Sequence, residues 1–371
     1  MSKLKHILLV TSEFPPQPGG IGNHAYHLAL QLSEYGFEVH VITDIRSGDG
    51  LEEMAFDATL PFKVERIKGR TPRLFMYFRR IIMVLKALKN RPYVIATGKF
   101  SLWNVALCSL VYSCKRLAVI HGTEVNFKAY LLRKAVDFSL KRFNSIVAVS
   151  HFTKTLVSHL NREVLVIANA IDLKDWLPVE MSQKRITGKP VLTTVGRLSK
   201  RKGQLQVIKH LPVLLKVYPD LHYQCVGMSK KMPEFIKRAE DLGVASHVTF
   251  RGVLDKQKVK QVLQGTDIFV MLSTTTVTGD VEGFGIAILE ANAMGIPAIG
   301  ASGSGIADAI QQGQSGLLID GTDAEAFVEA VTTILNNISD YRKGALLWAQ
   351  EHQWVHVIKK YVSVIEGINN S

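Results

Sequence analysis

The sequence is poor in cysteine, in long apolar runs and in acid. Only three cysteines, Cys108, Cys114 and Cys225, occur in 371 residues. Three cannot build a disulfide framework, and an odd count suits a reducing compartment. No run approaches the ~20 apolar residues of a membrane-spanning helix. The longest candidate, 102–112, is interrupted by Asn104 and Ser109. The apolar run that ends at Val10 is too short for a signal peptide, so the chain is expected to be cytoplasmic, soluble or at most peripheral. What is present is ordinary for a globular protein: 47% apolar and 21% charged residues, which argues against disorder, collagen and coiled coil. At roughly 150 residues per domain the length suggests two domains, each able to bury its own core.

Acid is scarce in one half only. The net charge is +13; residues 1–170 carry +11 of it and residues 171–371 only +2. Residues 63–91 hold ten Lys or Arg against one acid, Glu65, interleaved with the apolar stretches 74–78 and 81–85. Such a helix can lie on an anionic bilayer with its basic side at the headgroups. It can equally pack on its own sheet with a solvated basic edge. Nucleic acid is not the expected partner, because no helix-turn-helix, zinc-finger spacing or RNP-like strand accompanies the charge.

Short apolar runs alternate with helical stretches along the chain. The strand candidates are 6–10, 38–43, 62–67, 93–98, 117–121, 145–149 and 164–168, then 191–195, 222–226, 248–251, 267–272, 297–301 and 316–319. They are continuously apolar, as in parallel sheets covered on both faces. Helices are expected at 22–35, 72–89, 101–113, 127–142 and 151–160, then 204–217, 233–242, 256–263, 285–294 and 323–336, with 341–368 helical throughout. Residues 172–190 read as a linker. The pattern predicts two doubly wound α/β domains in tandem, with ligands at the carboxyl ends of the strands.

Five strand-end motifs carry the chemistry. The loop after the first strand runs TSEFPPQPGGIGN, where Gly19 and Gly20 allow close backbone approach to a ligand before a helix N-terminus; its spacing is not a dinucleotide fingerprint. His121-Gly122-Thr123-Glu124 ends another strand. Gly196 to Gly203, GRLSKRKG, sets four cations and two glycines before a helix and suits an anion, although it is not a Walker loop. Glu282-Gly283-Phe284-Gly285-Ile286 opens a helix whose amides suit a phosphate, and Glu290 follows among apolar neighbours, where a carboxylate needs a partner such as a ribose diol. The last is the loop 301–306, ASGSGI, either a cleft lining or a plain strand–helix connection.

In this order, with VAVS at 147–150 and NAID at 169–172, the motifs resemble the retaining GT-B glycosyltransferases of family 4 over nearly the whole chain. The resemblance implies two Rossmann-like domains facing a central cleft: an acceptor-side domain at 1–171, completed by a helix at 354–371 that crosses back, and a nucleotide-sugar domain at 187–353. It implies that Arg197 and Lys202 neutralise the donor diphosphate and that Gly285 and Ile286 offer it amides. By the same resemblance Glu290 holds the ribose, and Glu282 and His121 lie by the donor sugar and reacting centre. Gly19 and Gly20 let donor and acceptor meet. No metal or other cofactor is implied. The expected reaction moves a sugar from a UDP- or GDP-sugar to a hydroxyl of a lipid-linked or glycolipid acceptor of cell-surface polysaccharide synthesis, at the inner face of the cytoplasmic membrane. The 280–283 context is similar to that of mannosyltransferases that use GDP-mannose. Three positions depart from the family pattern: Ala170 for glycine, Gly227-Met228-Ser229 for VGxG, and Ser304 for glycine. A nucleotide-sugar epimerase or phosphorylase of the same fold, or a non-catalytic basic membrane-binding protein, are the rival expectations.

Overall fold

The structure is a computed structural model that describes residues 6–69, 73–180, 188–227 and 231–367. Of the segments read above, Met228 and Ser229, residues 181–187 of the linker, residues 70–72 of the basic segment and residues 368–371 lie outside them. The chain forms two compact units, one of residues 1–169 with 354–371, the other of residues 170–353.

The first unit runs β1 (His6–Thr11), α1 (Gly20–Glu34), β2 (Glu38–Asp44), α2 (Leu51–Asp57), β3 (Lys63–Ile67), α3 (Arg73–Leu88), β4 (Tyr93–Thr97), α4 (Lys99–Cys108), β5 (Arg116–Ile120), α5 (Tyr130–Leu140), β6 (Ser145–Ala148), α6 (His151–Thr155) and β7 (Leu165–Val166). The strands make one parallel sheet in the order β3-β2-β1-β4-β5-β6-β7. Ile7, Leu8, Leu9 and Val10 are all buried, as a strand covered on both faces requires.

The second unit runs β8 (Val191–Val195), α7 (Gln204–Val217), β9 (His222–Val226), α8 (Met232–Asp241), β10 (Val248–Gly252), α9 (Lys256–Gln264), β11 (Ile268–Met271), α10 (Ile286–Ala293), β12 (Ala298–Ala301), β13 (Gly316–Ile319), α11 (Ala324–Asn336) and α12 (Ile338–Glu351). Its parallel sheet has the order β10-β9-β8-β11-β12-β13. The last helix, α13 (Trp354–Glu366), belongs to the first unit and packs on α1. In each sheet the order reverses beside the first strand, at β1/β4 and β8/β11, which is where such sheets hold ligands.

Four local expectations change. The helix read through 341–368 is broken at His352 and Gln353. There the backbone leaves the helix to bridge Ile171, whose amide donates to the His352 carbonyl at 2.9 Å. The helix read at 151–160 ends at Thr155 and resumes as a 3-10 turn at Ser158–Leu160. The helix α2 has no counterpart among the expected elements. Leu173–Trp176, read as linker, forms a 3-10 turn with Trp176 buried and the Lys256 ammonium 5.6 Å from its ring centre.

The basic segment also divides. Arg66 chelates Asp57 through Nε and Nη2, at 2.7 Å each. Arg80 is buried against Asp44. These two cations therefore do not face solvent, because each balances a carboxylate inside the fold. The outer face of α3 keeps Arg79 and Lys86 beside exposed Phe75, Phe78 and Ile82. Exposed Leu110, Val111, Leu131 and Phe138 lie on or after the neighbouring helices α4 and α5. Among the described residues no helix is long and apolar enough to cross a membrane.

Candidate active site

In the first unit the carboxyl ends of β1, β4 and β5 are neighbours, and the candidate residues occupy the turns that leave them. Arg46, just past β2, holds the glycine loop: its guanidinium donates to the Gln17 and Pro18 carbonyls, each at 3.2 Å. Glu53 of α2 fixes that stretch in turn, accepting from the Arg46 and Ser47 amides at 2.9 and 2.8 Å. The two glycines differ. A Cβ on Gly19 would run into the Glu13 carboxylate, whereas a Cβ on Gly20 would have nothing within 4 Å. Gly19 thus answers to the protein, and Gly20 fronts open space.

His121 follows β5. Its Nε2 lies 2.8 Å from the hydroxyl of Thr97, which ends β4, and its amide donates to the Glu124 carboxylate. Burial pushes the imidazole down to about 3, so at working pH it is a neutral hydrogen-bonding group. Burial also pushes the Glu124 carboxyl up to about 7, and its Oε2 has no partner among the described residues. His24 of α1 packs edge-on against His121, ring centres 5.0 Å apart, and its Nε2 sits 3.1 Å from the Tyr361 hydroxyl. Through His24 the helix α13 is coupled to His121. Spacing could not reveal this, since the two partners are 337 residues apart.

In the second unit GRLSKRKG leaves β8, makes a 3-10 turn at Lys200–Lys202 and enters α7. Lys202 points to Glu282, Nζ to Oε2 at 2.8 Å, and Arg201 pairs with the same carboxylate. Burial pushes the Glu282 carboxyl up, but Lys202 and Arg201 outweigh it and hold the pKa below the ordinary value. Arg201 is the member that sequence reasoning left out. It was visible in the KRK run, but nothing there marked which cation would turn inward. Arg197 is exposed and carries no partner among the described residues, so its fork is available to a ligand.

Gly285 caps α10 with φ of 93°, a left-handed conformation that favours glycine. Its carbonyl takes the Ile288 amide at 2.9 Å, and the Ile286 and Ala287 amides of the first turn are left for an anion. Glu290, in the second turn of α10, is half-buried without a hydrogen-bond partner among the described residues. Burial pushes its carboxyl up to about 7; Lys256 and Lys202 pull it down less. An enclosed carboxylate of this kind has unused acceptor capacity for two hydroxyls. The loop after β12 braces the same site. The Gly305 amide donates to the Glu282 carbonyl at 2.9 Å, and a Cβ there would overlap the Gly283 backbone. Among the described residues no three His, Cys, Asp or Glu side chains converge as metal ligands would.

Comparison with known proteins identifies the family. Residues 179–344 match the family described as glycosyl transferases group 1, and residues 18–175 match glycosyltransferase family 4. The chain is 27% identical over 356 residues to a GDP-mannose-dependent monoacylated alpha-(1-6)-phosphatidylinositol monomannoside mannosyltransferase of Corynebacterium glutamicum, covering 91% of this chain and 90% of the relative. It is 26% identical over 373 residues to a GDP-mannose-dependent alpha-(1-6)-phosphatidylinositol monomannoside mannosyltransferase of Mycobacterium tuberculosis, covering 95% and 94%. A crystal structure of Anabaena HepE in complex with UDP and glucose superposes with a TM-score of 0.80 at 18% identity, over 98% of this chain and all of that one. With its two parallel α/β units and its motifs in family order, the chain belongs to the GT-B glycosyltransferases of family 4.

Proposed function

We propose that the protein transfers mannose from GDP-mannose, with retention and without a metal ion, to a hydroxyl of a lipid-linked or glycolipid acceptor. The observation that carries the reading is the second unit's arrangement of Lys202, Arg201 and exposed Arg197, the free amides of α10 and unpartnered Glu290. It offers positive charge for a diphosphate and an acceptor for a ribose diol. The relatives above use GDP-mannose and act on phosphatidylinositol mannosides, which favours that donor and an acceptor of that class.

The chemistry follows from which groups are free. A departing diphosphate develops charge, and Lys202, Arg197 and helix amides stabilise it. Lys202 spends one N–H on Glu282 and keeps two for the phosphate. Glu282, tied to two cations, is a weak nucleophile and a good anchor for the loop that carries the amides. His121, neutral, orients a sugar hydroxyl. A front-face substitution, with the leaving phosphate drawing the proton from the acceptor hydroxyl, gives retention without an enzyme carboxylate at the anomeric carbon.

The acceptor reaches the first unit from an anionic membrane surface. The outer face of α3, with Phe75, Phe78 and Ile82 beside Arg79 and Lys86, combines apolar insertion with headgroup attraction. Two experiments test the proposal. GDP-, UDP- and ADP-sugars are compared by thermal shift, where GDP-mannose raises the melting temperature most; a larger shift with a UDP-sugar would move the donor assignment. Flotation with anionic vesicles is compared with neutral ones, and equal recovery on both, or none on either, would refute the docking face.

A further inference from the structure

One group in the acceptor-side unit is unused by the reading above. Arg80 of α3 is 6% exposed and spends Nε, at 2.9 Å, and Nη2 on Asp44 at the end of β2. Its Nη1 is buried and has no partner among the described residues. Two adjoining rings lie against one side of the guanidinium, the Tyr77 and Phe100 centres 5.4 and 5.2 Å from Cζ and 5.8 Å from each other. Arg80 lines a slot at the carboxyl ends of β1, β2 and β3 with about 10 Å³ of room for the centre of a water-sized atom. That is room for one oxygen.

Much of the remaining wall is apolar, from Val10, Ile42, Ile67, Val84 and Phe100, and the Asp44 carboxylate lines it already paired with Arg80; three polar side chains complete it. Ser12 leaves β1, and Ser101 and Asn104 lie in the first turns of α4. None of the three side chains has a partner among the described residues. The N-terminus of α4, capped by Gly98 without any side-chain oxygen, presents its free amides there. An unpaired buried N–H of a guanidinium is costly unless a ligand or water completes it. Water would satisfy the group; a helix N-terminus together with a fixed guanidinium favours an oxyanion.

We infer that this slot between α3 and α4 binds one oxygen of a phosphate ester on the acceptor, the rest of the phosphate lying outside the slot. The inference rests on the proposed glycolipid acceptor and deepens it: recognition lies in a phosphate carried beside the accepting sugar. Arg80, which the charge pattern alone would have put on a membrane face, points inward, while Phe75, Phe78 and Ile82 of the same helix point outward. One helix thus offers both a bilayer contact and a headgroup contact.

The experiment is calorimetric titration of the full-length protein with dimethyl phosphate, a diester like a lipid headgroup, and with methyl phosphate, a monoester like a soluble sugar phosphate. Stoichiometric binding of one of them is expected in the native protein and in Lys202→Ala, whose donor-side cation is removed. It should weaken at least roughly tenfold in Asn104→Leu, which fills the slot, and in Arg80→Lys, which keeps the charge but loses Nη1. Asn104→Leu leaves the Arg80–Asp44 hydrogen bonds in place but shuts water from Nη1, so it should keep the native circular dichroism spectrum and melt only a few degrees lower. Preference for the diester identifies a lipid source, preference for the monoester a soluble one. Binding of neither ester, or equal binding in Asn104→Leu, overturns the inference. Loss of mannosyl transfer from GDP-mannose with ester binding intact would sink the proposed reaction and leave the slot standing.

Discussion

Replacing Glu290 with Gln should stabilise the free protein while disabling it. Burial raises the Glu290 carboxyl from 4.5 to about 7, so the folded state resists its ionisation. A group raised on folding contributes stability that is fully present below its unfolded pKa and lost as pH rises through its folded one. Between 4.5 and 7 the native protein therefore gives up roughly 1.4 kcal/mol per pH unit, about 3 kcal/mol in all. A Gln side chain cannot ionise and escapes the loss. Its advantage over Glu should be about 1 kcal/mol at pH 5 and about 3 kcal/mol at pH 8, a gain in melting temperature on the order of 5–10 °C for a unit of this size. The assay is thermal unfolding of both proteins at pH 5, 6, 7 and 8, followed by calorimetry with GDP-mannose at pH 8. There the Glu290→Gln variant should bind at least roughly tenfold more weakly, because it offers the diol no charged acceptor. A variant that is less stable at pH 8, or whose advantage does not grow with pH, would refute the idea that Glu290 is an enclosed carboxylate kept for a ligand.

Three further outcomes follow from the same geometry. Gly20→Ala meets no protein atom within 4 Å, so melting should be unchanged while kcat/KM falls, since the new methyl stands where a substrate approaches; unchanged kinetics would show that the loop leaves room there. Gly305→Ala overlaps the Gly283 backbone and should cost about 1–3 kcal/mol in denaturant unfolding, with weakened GDP-mannose binding because the α10 amides shift. His121 is held at about 3, so the native pH–rate profile should show no limb near 6.5 from this residue, and His121→Asn should lower the rate without changing the shape of the profile between pH 5.5 and 8.

How much of this was legible depended on distance along the chain. Strands such as Val191–Val195 and His222–Val226 are continuous apolar runs between turn residues, and a sheet buried on both faces leaves that mark in any window of five residues. The candidate residues were legible because they sit in the turns after strands or in the first turns of the helices that follow. Glu282 and Glu290 lie within one helix start, and the glycines around them punctuate it. What stayed hidden was pairing between elements. Arg80 looked like one more surface cation until Asp44, 36 residues away, was seen against it. The inward turn of Arg201 depends on Glu282, 81 residues on. The break at His352 depends on an amide from Ile171. Such contacts are fixed by the sheet order, which composition and spacing do not encode locally.

In the proposed function Lys202 and Glu290 hold a nucleotide-sugar whose sugar passes to an acceptor. The direct measurement is release of GDP from GDP-mannose with and without a phosphatidylinositol mannoside acceptor, for the native protein, Lys202→Ala and Glu290→Ala, each shown by circular dichroism to be folded. Acceptor-dependent release by the native protein is expected, with a loss of roughly 100-fold or more in each variant, in line with removing a preorganised charge from a transition state. Near-native turnover in both variants, or conversion of the nucleotide-sugar without any acceptor, would contradict it.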